Sequence, residues 1–525
     1  MNVIPHIFYP LTIGLIFFTY AFFKWPKYAI ASLIIAKPII DVSWNYNIFL
    51  NINFLKLYAG LFVILGLIYI IYKRINVLQH PISLIWLIFL VLNVVSIFII
   101  SDAHLLLGKI NYFLRILTGF IALIMFAHLF DFEKDKKFVL SIFIIAGIFP
   151  ILLWLIPVLS GNPIFSNDPL RRIMGPYQNF LHFNFHATQT LICCLAYLAI
   201  TNRRKLATND VNTRRDTSDL QNPNLFSAVS AKILRSLRFC HCEPERSEGV
   251  AISSSSGVEP VCVHRTGRPL GSSKSASSSS HCEERSDEAI STLPVIASVA
   301  RQSHLLLRSR AFRLVKRVVL YLMVLISIAM IYKCYSKTGW ITLVVCLFIW
   351  FLLRKKYILA SLVPVITVII LFVNPFAKDF QKTFDNEINY FTQGSEIKEM
   401  VFRGRLNRWE IGMNDFNSLP TINKLFGAQK SIGDPENDYL RVLWDNGIIG
   451  FIAFLILLGL TGYLLIRKYV KNKDPIVLMG ILIFIMFLIS GIGSYSMYYP
   501  NLQWFMWGTI GFILSKDRVT VSTKQ

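Results

Sequence analysis

The sequence predicts an all-α fold, a polytopic transmembrane helical bundle of about 12–13 spans with one large periplasmic loop. Three observations predict it. The chain is 54% hydrophobic and only 16% charged, whereas soluble domains carry about 25% charge. Apolar runs such as 82–100, 138–159 and 447–466 are long enough to cross a hydrocarbon layer of about 30 Å. These runs are continuous and do not alternate, which excludes a membrane β-barrel.

In order, spans are expected near residues 6–23, 28–43, 56–72, 82–100, 113–130, 138–159, 180–200, 315–333, 339–353, 357–374, 447–466, 475–493 and 498–515. The first run lacks a basic leading region and a small-residue cleavage site, so it reads as a retained span. The second is short and contains Lys37 and Asp41, so it reads also as a re-entrant segment, and thirteen spans become twelve. Basic clusters at Lys24/Lys27, Lys73/Arg74, Lys134/Lys136/Lys137, Arg203/Arg204/Lys205, Arg354/Lys355/Lys356 and Arg467/Lys468/Lys471/Lys473 follow the odd-numbered spans. The positive-inside rule puts them all in the cytoplasm. Residues 160–179 and the loop after Val373 then lie outside a bacterial inner membrane. The net charge of +23 has the same origin, basic turns facing anionic lipid, and does not indicate nucleic acid.

The chain divides into an N-terminal transmembrane bundle (1–201), a cytoplasmic insertion (202–312), further transmembrane helices (313–374), a periplasmic loop (375–446) and C-terminal transmembrane helices (447–525). The insertion is rich in Ser, Arg and Glu and contains an imperfect repeat, HCEPERSEGVAI from His241 and HCEERSDEAI from His281. It resembles the translated palindromic repeat elements found inside genes of rickettsiae and is expected to be disordered and dispensable. Its Cys240, Cys242, Cys262, Cys282 and His264 raise the alternative of zinc, but Cys240-His241-Cys242 is tighter than the usual C-x2-4-C spacing. No metal site is expected. Cys193, Cys194, Cys334 and Cys346 lie in or beside spans and read as small buried hydrophobes.

The outer loop holds the candidate chemistry. Arg403, Arg405 and Arg408 fall within six positions and are followed by Trp409. On a helix, Arg405 shares a face with Arg408 and with Trp409. Guanidinium forks bind phosphate oxygens and keep their charge near lipid, although an interfacial helix touching lipid headgroups has the same composition. Farther on, Asp434-Pro435-Glu436-Asn437-Asp438-Tyr439 offers carboxylates for general-base work. Asn437 or Asp438 also suits the N-cap of the next span. Tyr335 to Trp340 adds a cation, Lys337, in an outer turn, and Arg171/Arg172 precede a span carrying His182, Asn184, His186 and Gln189. Polar side chains within a span line cavities or bond neighbouring helices.

With these residues in place, the chain resembles the O-antigen ligase/polymerase superfamily, which includes protein O-oligosaccharyltransferases. The likeness rests on the large outer loop, SKTGW (Ser336 to Trp340) before a span, R-x-x-x-W at Arg405/Trp409, and Glu436-Asn437-Asp438-Tyr439-Leu440 before a Gly-rich span start. It implies an undecaprenyl-diphosphate-linked glycan as donor, a lipid A-core or glycan acceptor, and a role in lipopolysaccharide biosynthesis, with no nucleotide, cofactor or metal. Arg405, Glu436 and Asp438 take the catalytic positions; Arg403, Arg408, Lys337, Arg171, Arg172 and Asn437 take substrate-binding ones. Lys337 stands near the usual arginine, and Glu436 stands where ligases commonly have a histidine, a departure compatible with a polymerase. A lipid-linked sugar transporter is the alternative of another class, but the chain lacks the internal symmetry that transporters often show.

Overall fold

The computed structural model describes residues 16–42, 47–49, 52–99, 103–161, 183–202, 312, 314–334, 336–372, 385, 389, 392, 405–427, 435–494 and 496–515. Residues 203–311 of the expected insertion, with their repeat and cysteines, lie outside the described residues. The chain forms two compact units, residues 1–201 with 318–525, and residues 202–317. The candidate site belongs to the first.

The fold is helical. In the N-terminal part α1 covers residues 16–24, followed by α2 (Pro26–Asp41), α3 (Phe54–Tyr72), α4 (Ser83–Phe98), α5 (Ala103–Leu129), α6 (Lys136–Leu159) and α7 (Phe183–Asn202). The C-terminal part contains α8 (Leu314–Lys333), α9 (Lys337–Leu353), α10 (Tyr357–Phe372), α11 (Arg405–Ser418), α12 (Thr421–Phe426), α13 (Asp438–Asn472), α14 (Pro475–Gly493) and α15 (Pro500–Leu514). Each expected span from 28–43 onward coincides with one of these helices. Helices are imposed because a hydrocarbon environment offers the backbone no other hydrogen-bond partner. The exception is a short antiparallel ribbon, Asn47–Phe49 (β1) with Ile52–Asn53 (β2), which the apolar pattern does not foretell. Among the described residues seven helices, α3, α5, α6, α7, α8, α13 and α14, contain segments long and apolar enough to cross a membrane. The protein is a multi-pass membrane protein.

Glycines set the closest crossing. α15 packs most extensively against α5, where a Cβ on Gly511 would overlap the Leu123 carbonyl oxygen and one on Gly119 would stand 2.7 Å from the Trp507 ring. Small residues let the backbones approach until dispersion and packing hold them, the main attraction available between helices in lipid. Around this contact Trp504 lies 4.0 Å from Phe62 and 5.5 Å from Tyr58 between ring centroids, and Trp86 lies 4.9 Å from Trp507. α7 and α14 are largely interior, 89% and 72% buried along their apolar windows, whereas α8 is 28% buried and presents much of its apolar surface outward.

The ends of the first unit differ in chemistry. At one end three of the basic clusters converge. Lys27 pairs with Asp135 at 2.6 Å, Lys136 with Asp474 at 2.8 Å, and Lys468 donates to the Ile513 carbonyl at 2.6 Å. The ammonium groups of Lys136 and Lys468 stand 4.4 and 4.2 Å from the Phe132 ring centre. Toward the other end α2 carries the buried Lys37–Asp41 ion pair, with His186 Nε2 of α7 3.6 Å from Asp41 Oδ2. Lys37 and His186, with Gln189, Thr190 and Trp504, line a cavity of about 30 Å³, room for about one or two waters. Lys37 and Asp41 of α2 thus pair in the bundle interior, with His186 of α7, remote in sequence, beside Asp41.

Two stability consequences follow from this packing. Asp41→Ala would strand the Lys37 ammonium and is expected to cost about 3–5 kcal/mol, read as a large loss of thermal stability in detergent. Gly511→Val drives a side chain into the Leu123 backbone and is expected to cost at least about 1–3 kcal/mol in the same assay. A variant melting like the wild type would refute the corresponding contact.

Candidate functional site

The site is built on a helix that starts with polar residues and meets the bundle through a kink. At the head of α13, Asn437 Oδ1 accepts from the Tyr439 and Leu440 amides at 2.9 and 3.1 Å. This is the N-cap expected from sequence, and it satisfies two amides that no helical carbonyl can reach. Asn437 Nδ2 also donates to the Ile492 carbonyl at 3.1 Å, fastening the cap to the end of α14. Farther along, Gly447 takes φ +65° inside α13, and a Cβ there would overlap the Leu425 carbonyl of α12. Only glycine allows both the left-handed backbone and that approach. The first turns of α13 are therefore held apart in direction from the long apolar stretch that follows.

α11 lies over this region. A Cβ on Gly412 would overlap the Trp444 ring, so the two helices meet at van der Waals distance. Arg405, Arg408 and Trp409, spaced i, i+3 and i+4, share one face as the sequence predicts, and all three reach the Pro435–Glu436 dipeptide. Arg405 places Nε 2.6 Å and Nη2 2.5 Å from Glu436 Oε2. Arg408 Nη1 lies 3.2 Å from Glu436 Oε1, and Trp409 Nε1 donates to the Pro435 carbonyl at 2.5 Å. One carboxylate thus bridges two guanidinium groups. Glu436 itself is in the left-handed region, φ +46°, a conformation uncommon for a residue with a Cβ and found where surrounding contacts over-determine the backbone.

Burial alone pushes the Glu436 carboxyl up, but the charges and hydrogen bonds of Arg405 and Arg408 outweigh it and hold the group below its ordinary range. The carboxylate is ionised at neutral pH and engaged by both arginines.

The Ser336–Trp340 turn comes to the same place. Ser336 Oγ accepts from the Gly339 amide at 3.3 Å and caps α9. A Cβ on Gly493 would stand 2.7 Å from Thr338 Oγ1 and 3.7 Å from Arg405 Nη1, so Gly493 lets the head of α9, which carries Lys337, lie beside Arg405. On the other side of Gly339 sits Asn184 of α7, close enough that a Cβ on that glycine would overlap its side chain. Asp438 points away from solvent. It is 1% exposed, its Oδ2 accepts from the Met497 amide at 3.0 Å, and its Oδ1 is buried without a hydrogen-bond partner among the described residues.

The structure therefore brings together Arg405, Arg408, Glu436, Asn437 and the turn of Lys337, and sets Asp438 beneath them. Arg403, Arg171, Arg172, Asp434 and His182 lie outside the described residues. Cys193, Cys194, Cys334 and Cys346 are buried free thiols, as their placement in spans suggested. Sequence reasoning missed Gly493, whose only signal is the small-residue run Gly491-Ile492-Gly493-Ser494 at a span end. His186, read from sequence as either cavity-lining or a helix partner, sits in the Lys37–Asp41 chamber. None of the residues lining that chamber belongs to the arginine cluster.

A sequence model of the O-antigen ligase family matches residues 322–455. The chain carries an O-antigen ligase domain. The matched stretch runs from α8 into α13 and contains Lys337, Arg405, Arg408, Glu436, Asn437 and Asp438, so the cluster lies inside the domain and Gly493 just beyond it. Over residues 322–455 the chain is similar to the O-antigen ligase family. No curated protein matches it.

The ion pairs give this ligase-domain loop a specific response to acid. A carboxylate whose acidity is enhanced in the folded state stabilises that state above its unfolded value, and the contribution is lost as pH falls through the folded value. Limited proteolysis of the 405–418 region should therefore stay slow at neutral pH and accelerate only in acid below the ordinary glutamate range. In Glu436→Gln the neutral-pH rate should already be raised and the acid step reduced. An acid step of full size in that variant would assign it to another group.

Proposed function

We propose that the protein is a glycosyltransferase of the O-antigen ligase type, which moves a glycan from undecaprenyl diphosphate to a lipid A-core acceptor at the periplasmic face of the bacterial inner membrane. The observation that carries this reading is the convergence of Arg405 and Arg408 on one acidic residue, beside the turn that holds Lys337, within the O-antigen ligase domain. Charge develops on the diphosphate as the sugar leaves, and fixed guanidinium groups stabilise it more in the transition state than in the ground state. Lys337 adds a third cation on the same side. The family resemblance assigns Arg403, Arg171 and Arg172 to substrate binding as well.

An acceptor hydroxyl must lose its proton as it attacks the anomeric carbon. Glu436 is the base in this scheme, because its carboxylate is partly exposed and lies within the arginine cluster. Asp438 is enclosed and bonded to the Met497 amide, so its contribution is to hold the head of α13, and through it Asn437 and Glu436, in position. Binding both substrates at one loop supplies proximity and orientation. Sidedness follows from the convergence of basic clusters at the opposite end of the bundle, which the positive-inside rule assigns to the cytoplasm. The segment 202–312 is taken as a dispensable cytoplasmic insertion.

A second reading, an O-antigen polymerase of the same superfamily, is favoured by Glu436 standing where ligases commonly have histidine. Two strains separate the readings, one lacking its O-antigen ligase and one lacking its polymerase, scored by lipopolysaccharide ladders. Capped core restored in the first strain supports the ligase, and lengthened ladders in the second support the polymerase. In whichever strain is rescued, Arg405→Ala should reduce transfer by about 10²–10³-fold while leaving the protein in the membrane. Normal transfer by that variant would remove the arginine from the mechanism.

A further inference from the structure

The Glu436 carboxylate sits where an anionic ligand of the two arginines would sit. Each of its oxygens is engaged by a different guanidinium, Oε2 by Arg405 at 2.5 and 2.6 Å and Oε1 by Arg408 at 3.2 Å. The two guanidinium groups thus hold one carboxylate between them, and a ligand with two anionic groups would give each of them an anionic partner of its own.

The backbone on either side of Glu436 is pinned. Pro435 is held through its carbonyl by Trp409, and Asn437 is held as the cap of α13 and by its bond to Ile492. The Glu436 side chain remains about one-third exposed. The carboxylate can therefore leave the arginines by side-chain rotation, with no change in the helices that build the site.

From this geometry we infer that Glu436 is a placeholder in the anion site, displaced by the donor's diphosphate, and that it thereby sets a preference for diphosphate over monophosphate. The inference rests on the anion-site reading given above. A diphosphate has two phosphoryl groups, one for each arginine, and displaces the carboxylate with gain. A monophosphate offers one group and competes with Glu436 on less favourable terms. Displacement has a second consequence. While both arginines grip the carboxylate it is a poor proton acceptor, and once they turn to the diphosphate it is released beside the reacting centre. The base is then available only when donor is bound, which disfavours proton removal at an empty site.

The test is binding to the full chain purified in detergent, with a polyprenyl diphosphate and a polyprenyl monophosphate of equal chain length as probes. Wild-type protein is expected to prefer the diphosphate. Glu436→Gln, nearly the same shape but without the competing charge, should bind the monophosphate roughly tenfold tighter or more, so that the preference for diphosphate shrinks. If Glu436→Gln does not fold, Glu436→Asp, with a reach one methylene shorter, should shift binding in the same direction by a smaller factor. Arg405→Ala should weaken both ligands. Unchanged or weaker monophosphate binding in the folded Glu436 variant, with Arg405→Ala still impaired, overturns the placeholder role and leaves the anion site standing. Wild-type protein binding neither probe, or Arg405→Ala binding as tightly as wild type, overturns both.

Discussion

The backbone's need for hydrogen-bond partners where water is absent governs the whole molecule. Within hydrocarbon it forces continuous helices, and once the helices exist, their mutual attraction depends on how closely they approach. Gly119 and Gly511 meet that demand at the α5–α15 crossing. The same scarcity of partners makes every buried charge conspicuous. Lys37 and Asp41 neutralise one another within α2, with His186 of α7 beside them.

Where the chain leaves the apolar region the constraint changes, and irregular backbone becomes possible. α13 shows the transition within one element. Its cap, its glycine kink and its buried Asp438 belong to the part that builds a site, and its long apolar stretch belongs to the bundle. The left-handed Glu436 is tolerated because Trp409 and Asn437 hold the residues on either side. Charge is divided in the same manner. Lysines and acids of several helices pair at one end of the unit, while arginines gather over a single carboxylate in the loop region.

Much of this was legible in the sequence, and the parts that were share a physical basis. Helix existence follows from uninterrupted apolar length, and the shared face of Arg405, Arg408 and Trp409 follows from helical periodicity. The Asn437 cap follows from residue type at a helix start. All are properties of neighbours along the chain. The ribbon of Asn47–Phe49 with Ile52–Asn53 escaped because it is too short to carry a pattern. Gly493 escaped because its importance lies in what approaches it, Thr338 and Arg405, from distant elements.

The sequence by itself determined that the chain is a multi-span helical bundle, where the spans fall, and which loop collects arginines and acids. Apolar length and period are local quantities, summed over neighbouring residues, and they survive without knowledge of the fold. Only the tertiary structure decided which partners those residues take. Glu436 could have been a free base, a cap or a ligand, and it is the bridge between Arg405 and Arg408 because α11 lies across the head of α13. Asp438, equally acidic and two positions on, is instead enclosed against the Met497 amide. Two carboxylates so close in sequence diverge in role because the helix start turns one side chain outward and the other into the bundle, and burial then separates their chemistry.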